Sequence, residues 1–277
     1  MQYQTFPPPT DLSDAVEHFW AIENPRALDA HQEILIPNGR PTVLICIGEP
    51  GTRIWVDGTR LQNASNVAGL ITSPTILEQS GTSSYVAAQL RPWGLALFGF
   101  PKLVDQSVSL ENAIGGESLE ALIAQCSSEP FGEQRTAPLI ELLRSLRKPQ
   151  TQRHLDDIRT AIEAIDGEVS LVSIERLACG MQLGYERLYR RFKSMLGLSP
   201  KQYASIMRFY SFASDLLEND NGSVAQLESL QGYYDQAHAA REFKRYTGIS
   251  QRQFRQTLNG IAKLMQIRNH LPDSYKN

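Results

Sequence analysis

Cysteine, histidine and long apolar runs are all scarce in this 277-residue chain, and each shortage excludes something. The three cysteines, Cys46, Cys126 and Cys179, are odd in number and scattered. None belongs to a CxxC pair or lies near a histidine at metal-ligand spacing, so neither a disulfide framework nor a zinc site is expected. A reducing compartment fits, and each cysteine reads as a small buried side chain among apolar neighbours. Of five histidines only His18 and His31 fall in the first half, 13 apart and without an HxH pair. That excludes the clustered ligands of a metal-dependent β-barrel enzyme. GxSxG, a Gly-rich phosphate loop and HExxH are all missing, so no catalytic residue, cofactor or metal is expected. The longest apolar runs, such as Val43 to Ile47, fall far short of the ~20 residues needed to cross a bilayer. The first seven residues carry no basic region leading into an apolar stretch, so no secretory leader is expected. The expectation is a cytoplasmic protein with no membrane partner.

What is present suits a folded protein of two domains. Apolar residues make up 42% and charged residues 21%, enough for sizeable cores. The net charge of −3 conceals an asymmetry. Residues 1–150 hold 10 Lys/Arg against 16 Asp/Glu, a net −6, whereas 151–277 hold 17 against 14, a net +3. The window 187–255 reaches +5, with 11 basic residues against 6 acidic. Such a split points to two domains with different partners, the second polyanionic.

The periodicity changes along the chain. Thr42 to Ile47, bounded by Pro41 and Gly48, reads as a buried strand. Thr52 to Val56 and Thr59 to Leu61 flank Asp57-Gly58, a two-residue hairpin signal. Further strand-like pieces cover 66–72 and 84–90, giving an antiparallel barrel or sandwich. Helical stripes follow at Leu119, Leu122, Ile123 and Cys126, then at Leu139, Leu142, Leu143 and Leu146. The polar, Pro-containing stretch 147–152 marks the domain boundary. After it come Ile158, Ala161, Ile162 and Ile165, closed by Gly167, then a short helix over 171–178. A long helix from Pro200 carries Tyr203, Ile206, Tyr210, Ala213 and Leu217 as one apolar seam to 217. The fold class is therefore α+β. Residues 1–115 form a β-rich sensor or regulatory domain, 116–152 a helical connector, 153–260 an all-α domain, and 261–277 a tail.

The chain also repeats itself at a separation of 51. Phe192-Lys193-Ser194-Met195-Leu196-Gly197-Leu198-Ser199 returns as Phe243-Lys244-Arg245-Tyr246-Thr247-Gly248-Ile249-Ser250, and Gln202-Tyr203 returns as Gln253-Phe254. Each copy is a helix end: a buried Phe, a cationic last turn and a Gly stop. A short helix and a tight turn precede each copy, at 173–183 and 223–234, with Asp235 as an N-cap. This is helix-turn-helix organisation, whose second helix enters the DNA major groove.

The string Gly232-Tyr233-Tyr234-Asp235-Gln236-Ala237-His238 with Arg241 to Gly248 closely resembles the signature of the AraC/XylS family of transcription regulators. Leu177-Ala178 through Arg190-Arg191-Phe192-Lys193 to Gly197-Leu198-Ser199-Pro200 resembles that family's first module. The likeness covers about 155–257. In the first domain, Ile36-Pro37-Asn38-Gly39-Arg40 and Leu90-Arg91-Pro92-Trp93-Gly94 are similar to the amino-terminal domain of a subset of such regulators. The resemblance implies double-stranded DNA and RNA polymerase as partners, activator function, and an N-terminal domain that senses a small-molecule effector or forms a homodimer. The departures are Gly184 where the family caps with Ser, together with Glu228, Gln231 and Ala239 in the second module.

Helical geometry then divides the residues. With Leu183, Leu188 and Phe192 turned to the core, Glu186, Tyr189, Arg190 and Lys193 face outward in the first recognition helix, where Glu accepts from cytosine and Arg grips guanine. Arg187 and Arg191 lie on the flank, suited to phosphates. In the second, Phe243 is the anchor and Gln236, Ala237, Ala240 and Arg241 face outward, with Lys244 and Arg245 as further cations. With only methyl groups at two of these positions, the second half-site should be read less stringently. His238 is expected to serve structure. Trp20, Trp55, Trp93 and Arg91 are candidates for an effector pocket, although core filling accounts for the tryptophans as well. The alternative function is a small-molecule-binding or enzymatic β-barrel whose helical part mediates assembly. Its helices would show apolar outward positions, and these show Glu, Tyr, Arg and Lys.

Overall fold

The N-terminal half is one antiparallel sheet organised around a long strand. A computed structural model describes residues 1–148, 152–168, 173–218 and 227–257. The strands are β1 (Gln2–Phe6), β2 (Val16–Leu35), β3 (Thr42–Cys46), β4 (Thr52–Ile54), β5 (Arg60–Gln62), β6 (Asn66–Ala68), β7 (Thr75–Leu90) and β8 (Ser107–Ser109). They run in the order β1-β2-β7-β3-β6-β8, with β4 bridging β5 and β7. The second half of β7 pairs with β3 and its first half with β4, while β2 runs along nearly all of it. The family of Val43, Ile45, Val86, Ala87, Ala88 and Leu90 is fully buried, with small alanines where both faces are covered.

Three differences from the sequence reading have physical causes. The strand expected over 84–90 begins at Thr75, and β1 and β2 are additional. Three register irregularities in β2 disturb the period-two alternation that advertises a strand. The Asp57-Gly58 loop is longer than two residues. Trp55 N donates to Thr59 O and Gly58 N to Trp55 O, both at 2.9 Å, and Gly58 takes the left-handed φ of +85°. A turn followed by a left-handed glycine satisfies the same twist as a two-residue loop. Cys46 and Cys126 are buried and burial pushes both thiols up to about 11, but Cys179 is exposed, because it lies on the outer side of a short helix.

Short helices α1 (Gly94–Leu97) and α2 (Glu111–Ile114) precede α3 (Gly116–Ser128) and α4 (Ala137–Leu146). Leu122, Cys126, Leu139 and Leu143 are their buried positions, as the stripes require. Nearly all of this, to residue 149, belongs to one compact unit, and residue 150 onward to another.

The second unit contains α5 (Gln152–Gly167), α6 (Ile174–Gly180), α7 (Tyr185–Met195), α8 (Pro200–Glu218), a 3-10 turn (Glu228–Gly232), α9 (Gln236–Thr247) and α10 (Gln251–Thr257). The helix read over 171–178 is seen from Ile174, its first residues lying outside the described ones. The first half of the expected 223–230 helix and all of the tail 261–277 also lie outside them, and residues 228–230 belong to the 3-10 turn. The 51-residue repeat has a mechanical explanation. Ser199 and Gln202 form a reciprocal capping box at the start of α8, with backbone-to-side-chain bonds of 2.9 and 3.1 Å. Ser250 and Gln253 repeat it at α10, at 3.0 and 3.3 Å. Gly197 and Gly248, at φ +81° and +76°, end the preceding helices in the left-handed conformation that glycine accepts. Each repeat thus stops one helix and starts the next.

Candidate nucleic-acid interface

The outward face of α7 follows from its buried face. Leu188 and Phe192 are fully buried, the Phe192 ring 6.2 Å from that of Tyr203 on α8. Glu186, Arg187 and Arg190 are therefore exposed on the other side, while Tyr189 is half-buried, its ring 6.2 Å from that of Tyr185. Glu186 stands in the first turn, where a carboxylate complements the helix dipole. Gly184 is the N-cap and supplies no side-chain bond.

Two predicted contacts sit differently. The Arg191 guanidinium is paired with Asp157 on α5 and only 9% exposed. The pair turns this side chain inward to join α7 to α5, so Arg187 is left as the exposed flank cation. Lys193 is half-buried, and its ammonium donates to Gly197 O at 3.1 Å and Gln202 Oε1 at 3.3 Å. It closes the end of α7 onto the start of α8.

On α9, Gln236, Ala237, Ala240, Arg241, Lys244 and Arg245 are all exposed. Asp235 caps the helix by accepting from His238 N at 2.6 Å. The opposite face is an aromatic cluster. Phe243 meets Phe209, Phe212 and Phe254 edge-on, at centroid distances of 5.6, 5.7 and 5.1 Å.

Sequence reasoning missed a polar clamp behind α9. Arg208 on α8 donates from Nη2 to both oxygens of Glu242, each at 3.1 Å, and Ser205 Oγ donates to Oε1 at 3.1 Å. The Glu242 side chain is 9% exposed, so this carboxylate is inside the fold. The guanidinium also lies 5.1 Å over the Tyr233 ring, which comes from the turn. His238 Nε2 approaches Glu242 at 3.6 Å. α8, the turn and α9 are thereby joined at one carboxylate. Burial and the Glu242 charge push the Tyr233 phenol well up. An acidic residue one position before the anchor Phe was the available signal.

The four pocket candidates of the other unit are engaged locally. Arg91 Nε donates to Ser13 O at 3.0 Å and Trp93 Nε1 to Asp14 O at 2.7 Å, so both hold the 13–15 segment. Trp20 lies on β2 beside Tyr3, and Trp55 in the hairpin turn. All three tryptophans are buried. Among the described residues no His, Cys, Asp and Glu cluster has the makings of a metal site, and no helix is long and apolar enough to cross a membrane.

Comparison with known proteins finds separate matches in the two halves of the chain. A helix-turn-helix domain family matches residues 177–257, and DUF6597, a domain of unknown function, matches 4–106. The lactose operon transcription activator of Staphylococcus xylosus is 25% identical over 209 residues, 74% of this chain and 67% of that protein. The HTH-type transcriptional regulator MtrA of Neisseria gonorrhoeae is 30% identical over 83 residues, 30% of this chain and 27% of that protein. Among solved structures, ToxT from Vibrio cholerae O395 aligns over 94% of this chain and 99% of its own, at 8% identity and a TM-score of 0.49.

Proposed function

We propose that this chain, a DNA-binding transcription regulator of the AraC/XylS type, reads its operator with two recognition helices of unequal stringency, α7 and α9. The observation that supports this most is the duplication itself: two Phe-anchored helices, each ended by a left-handed glycine and followed by a capping box, each with exposed cations opposite its anchor. An assembly helix would expose large apolar side chains there, and the exposed positions of α7 and α9 carry none.

In this reading Glu186, Tyr189 and Arg190 meet bases, and Arg187 meets a phosphate. Gln236 pairs with adenine, Ala237 and Ala240 touch thymine methyls, and Arg241, Lys244 and Arg245 supply further contacts. Arg191 and Lys193 act by holding α7 in place. Both helices enter successive major grooves on one face of the duplex, about one turn or ~34 Å apart. Residues 153–260 form the DNA-binding domain, 116–152 the connector and 1–115 the sensor, which answers a small-molecule effector or forms a homodimer. The protein works in the cytoplasm as an activator alongside RNA polymerase and catalyses no reaction. A salt titration of DNA binding tests the core of the proposal. Each phosphate contact contributes about 0.9 to the slope of log affinity against log salt, and a slope near zero rejects it.

A further inference from the structure

We infer that Tyr234 donates a hydrogen bond from its phenol to a phosphate of the DNA strand bordering the groove that α9 enters. The inference rests on the proposal that α9 reads DNA, and it adds a contact from outside that helix. Tyr234 is 95% exposed, more than any other large apolar or aromatic side chain among the described residues. It lies between the 3-10 turn and α9, one position before the Asp235 cap.

Its direction follows from its neighbours. The backbone is extended on both sides, with φ −114° and ψ 149° at Tyr233 and φ −153° and ψ 171° at Asp235. Successive side chains of an extended chain point to opposite sides. Tyr233 turns inward: it is buried, its ring 5.6 Å from that of Phe212, which in turn meets Phe243, the anchor of α9. Tyr234 therefore projects away from that anchor, to the side on which Gln236, Ala237, Ala240 and Arg241 are exposed. Asp235 does not compete for the same place, because its carboxylate turns back to accept from His238 N at 2.6 Å.

That side of the second module is short of polar contacts, since two outward positions of α9 are alanines. At the 51-residue separation Tyr234 corresponds to Leu183, which is half-buried and apolar, so the first module has no equivalent group. With the first turn of a recognition helix at the base edges, the chain entering that helix crosses the rim of the groove, where the sugar-phosphate strand runs. A phenol is a neutral donor suited to a phosphate oxygen, and such a contact positions a helix without specifying sequence. Tyr234 thus adds affinity common to every sequence where α9 has few groups to read bases.

The test is fluorescence anisotropy of the full chain on cognate and random duplex, repeated across a range of sodium chloride concentrations. Tyr234→Phe, which removes only the hydroxyl, should weaken both duplexes by the same factor, about threefold to tenfold. Its salt slope should match that of the wild type, because a neutral donor displaces no counterion, whereas Arg187→Ala should make the slope shallower by about 0.9. Ethylating the duplex phosphates singly should reveal one position that weakens the wild type and leaves Tyr234→Phe unaffected. Tyr234→Ala separates ring from hydroxyl. If it weakens binding while Tyr234→Phe does not, the ring packs on the duplex without donating, and the inference fails. It fails too if both variants bind as the wild type does, or if the loss is confined to cognate DNA. A wild type that binds no duplex overturns the DNA-binding proposal itself; each of the other failures is read on a wild type that binds, and leaves that proposal standing.

Discussion

The two helix-turn-helix modules share a plan and differ in where their polar groups are spent. In the first, α7 starts from an uncapped glycine and carries an exposed face of Glu186, Arg187 and Arg190, while its buried pairing joins Arg191 to Asp157. In the second, α9 starts from a bonded aspartate cap and shows two alanines outward. Besides its exposed Arg241, Lys244 and Arg245, it has a paired charge behind the helix, Arg208 with Glu242. The first module is rich in groups that can discriminate bases. The second is rich in groups that fix a helix in place. Reading and holding are separable tasks, and the duplication has allowed them to diverge.

The comparison can be broken most forcefully at the second anchor. Phe243→Ala removes the ring at the centre of three edge contacts and should cost about 3–5 kcal/mol in urea denaturation. Phe192→Ala, whose ring meets only that of Tyr203 among the described residues, belongs at the lower end of that range. The reverse order would show the second module to be the looser one. Next comes the clamp. Glu242→Ala leaves Arg208, which is 25% exposed, without its partner, and should cost about 2–3 kcal/mol. Its signature is loss of sequence preference at the half-site read by α9, with the α7 half-site unchanged.

Much of this was legible in the sequence, and what was not has a common cause. The seam of α8 and the anchors Leu188, Phe192 and Phe243 are local periodicities, and they are buried as the spacing requires. Asp235 as a cap and Gly248 as a stop are local too. Arg191 with Asp157 and Arg208 with Glu242 are each 34 residues apart, so nothing in the neighbourhood of either residue announces the partner. Arg191 therefore looks like one more surface cation. The long strand β2 escaped for a different reason, since its irregular register hides the alternation.

Smaller effects sharpen the contrast between reading and holding. Arg190→Ala should cost roughly 1–3 kcal/mol on the cognate site and relax preference at one base pair. Arg187→Ala should weaken cognate and random duplex alike, as loss of a phosphate contact does. Fluorescence anisotropy on both kinds of DNA separates the two, and equal losses for both variants would misplace the recognition face. The caps come last. Asp235→Ala should lower stability by about 1 kcal/mol, whereas Gly184→Ser should raise it by only a few tenths. The added side chain at 184 has open space around it, at an ordinary backbone φ of −74°. Thermal denaturation of both variants checks the pair.

The most direct measurement is selection of bound sequences from a random duplex pool by the full chain. The account predicts two conserved blocks whose centres lie about one helical turn, ~10.5 base pairs, apart, with the α7 block carrying the sharper preference. Arg190→Ala in the same selection should blur that block alone. A single block, or two blocks whose sharper member persists in Arg190→Ala and degrades in Glu242→Ala, would contradict it.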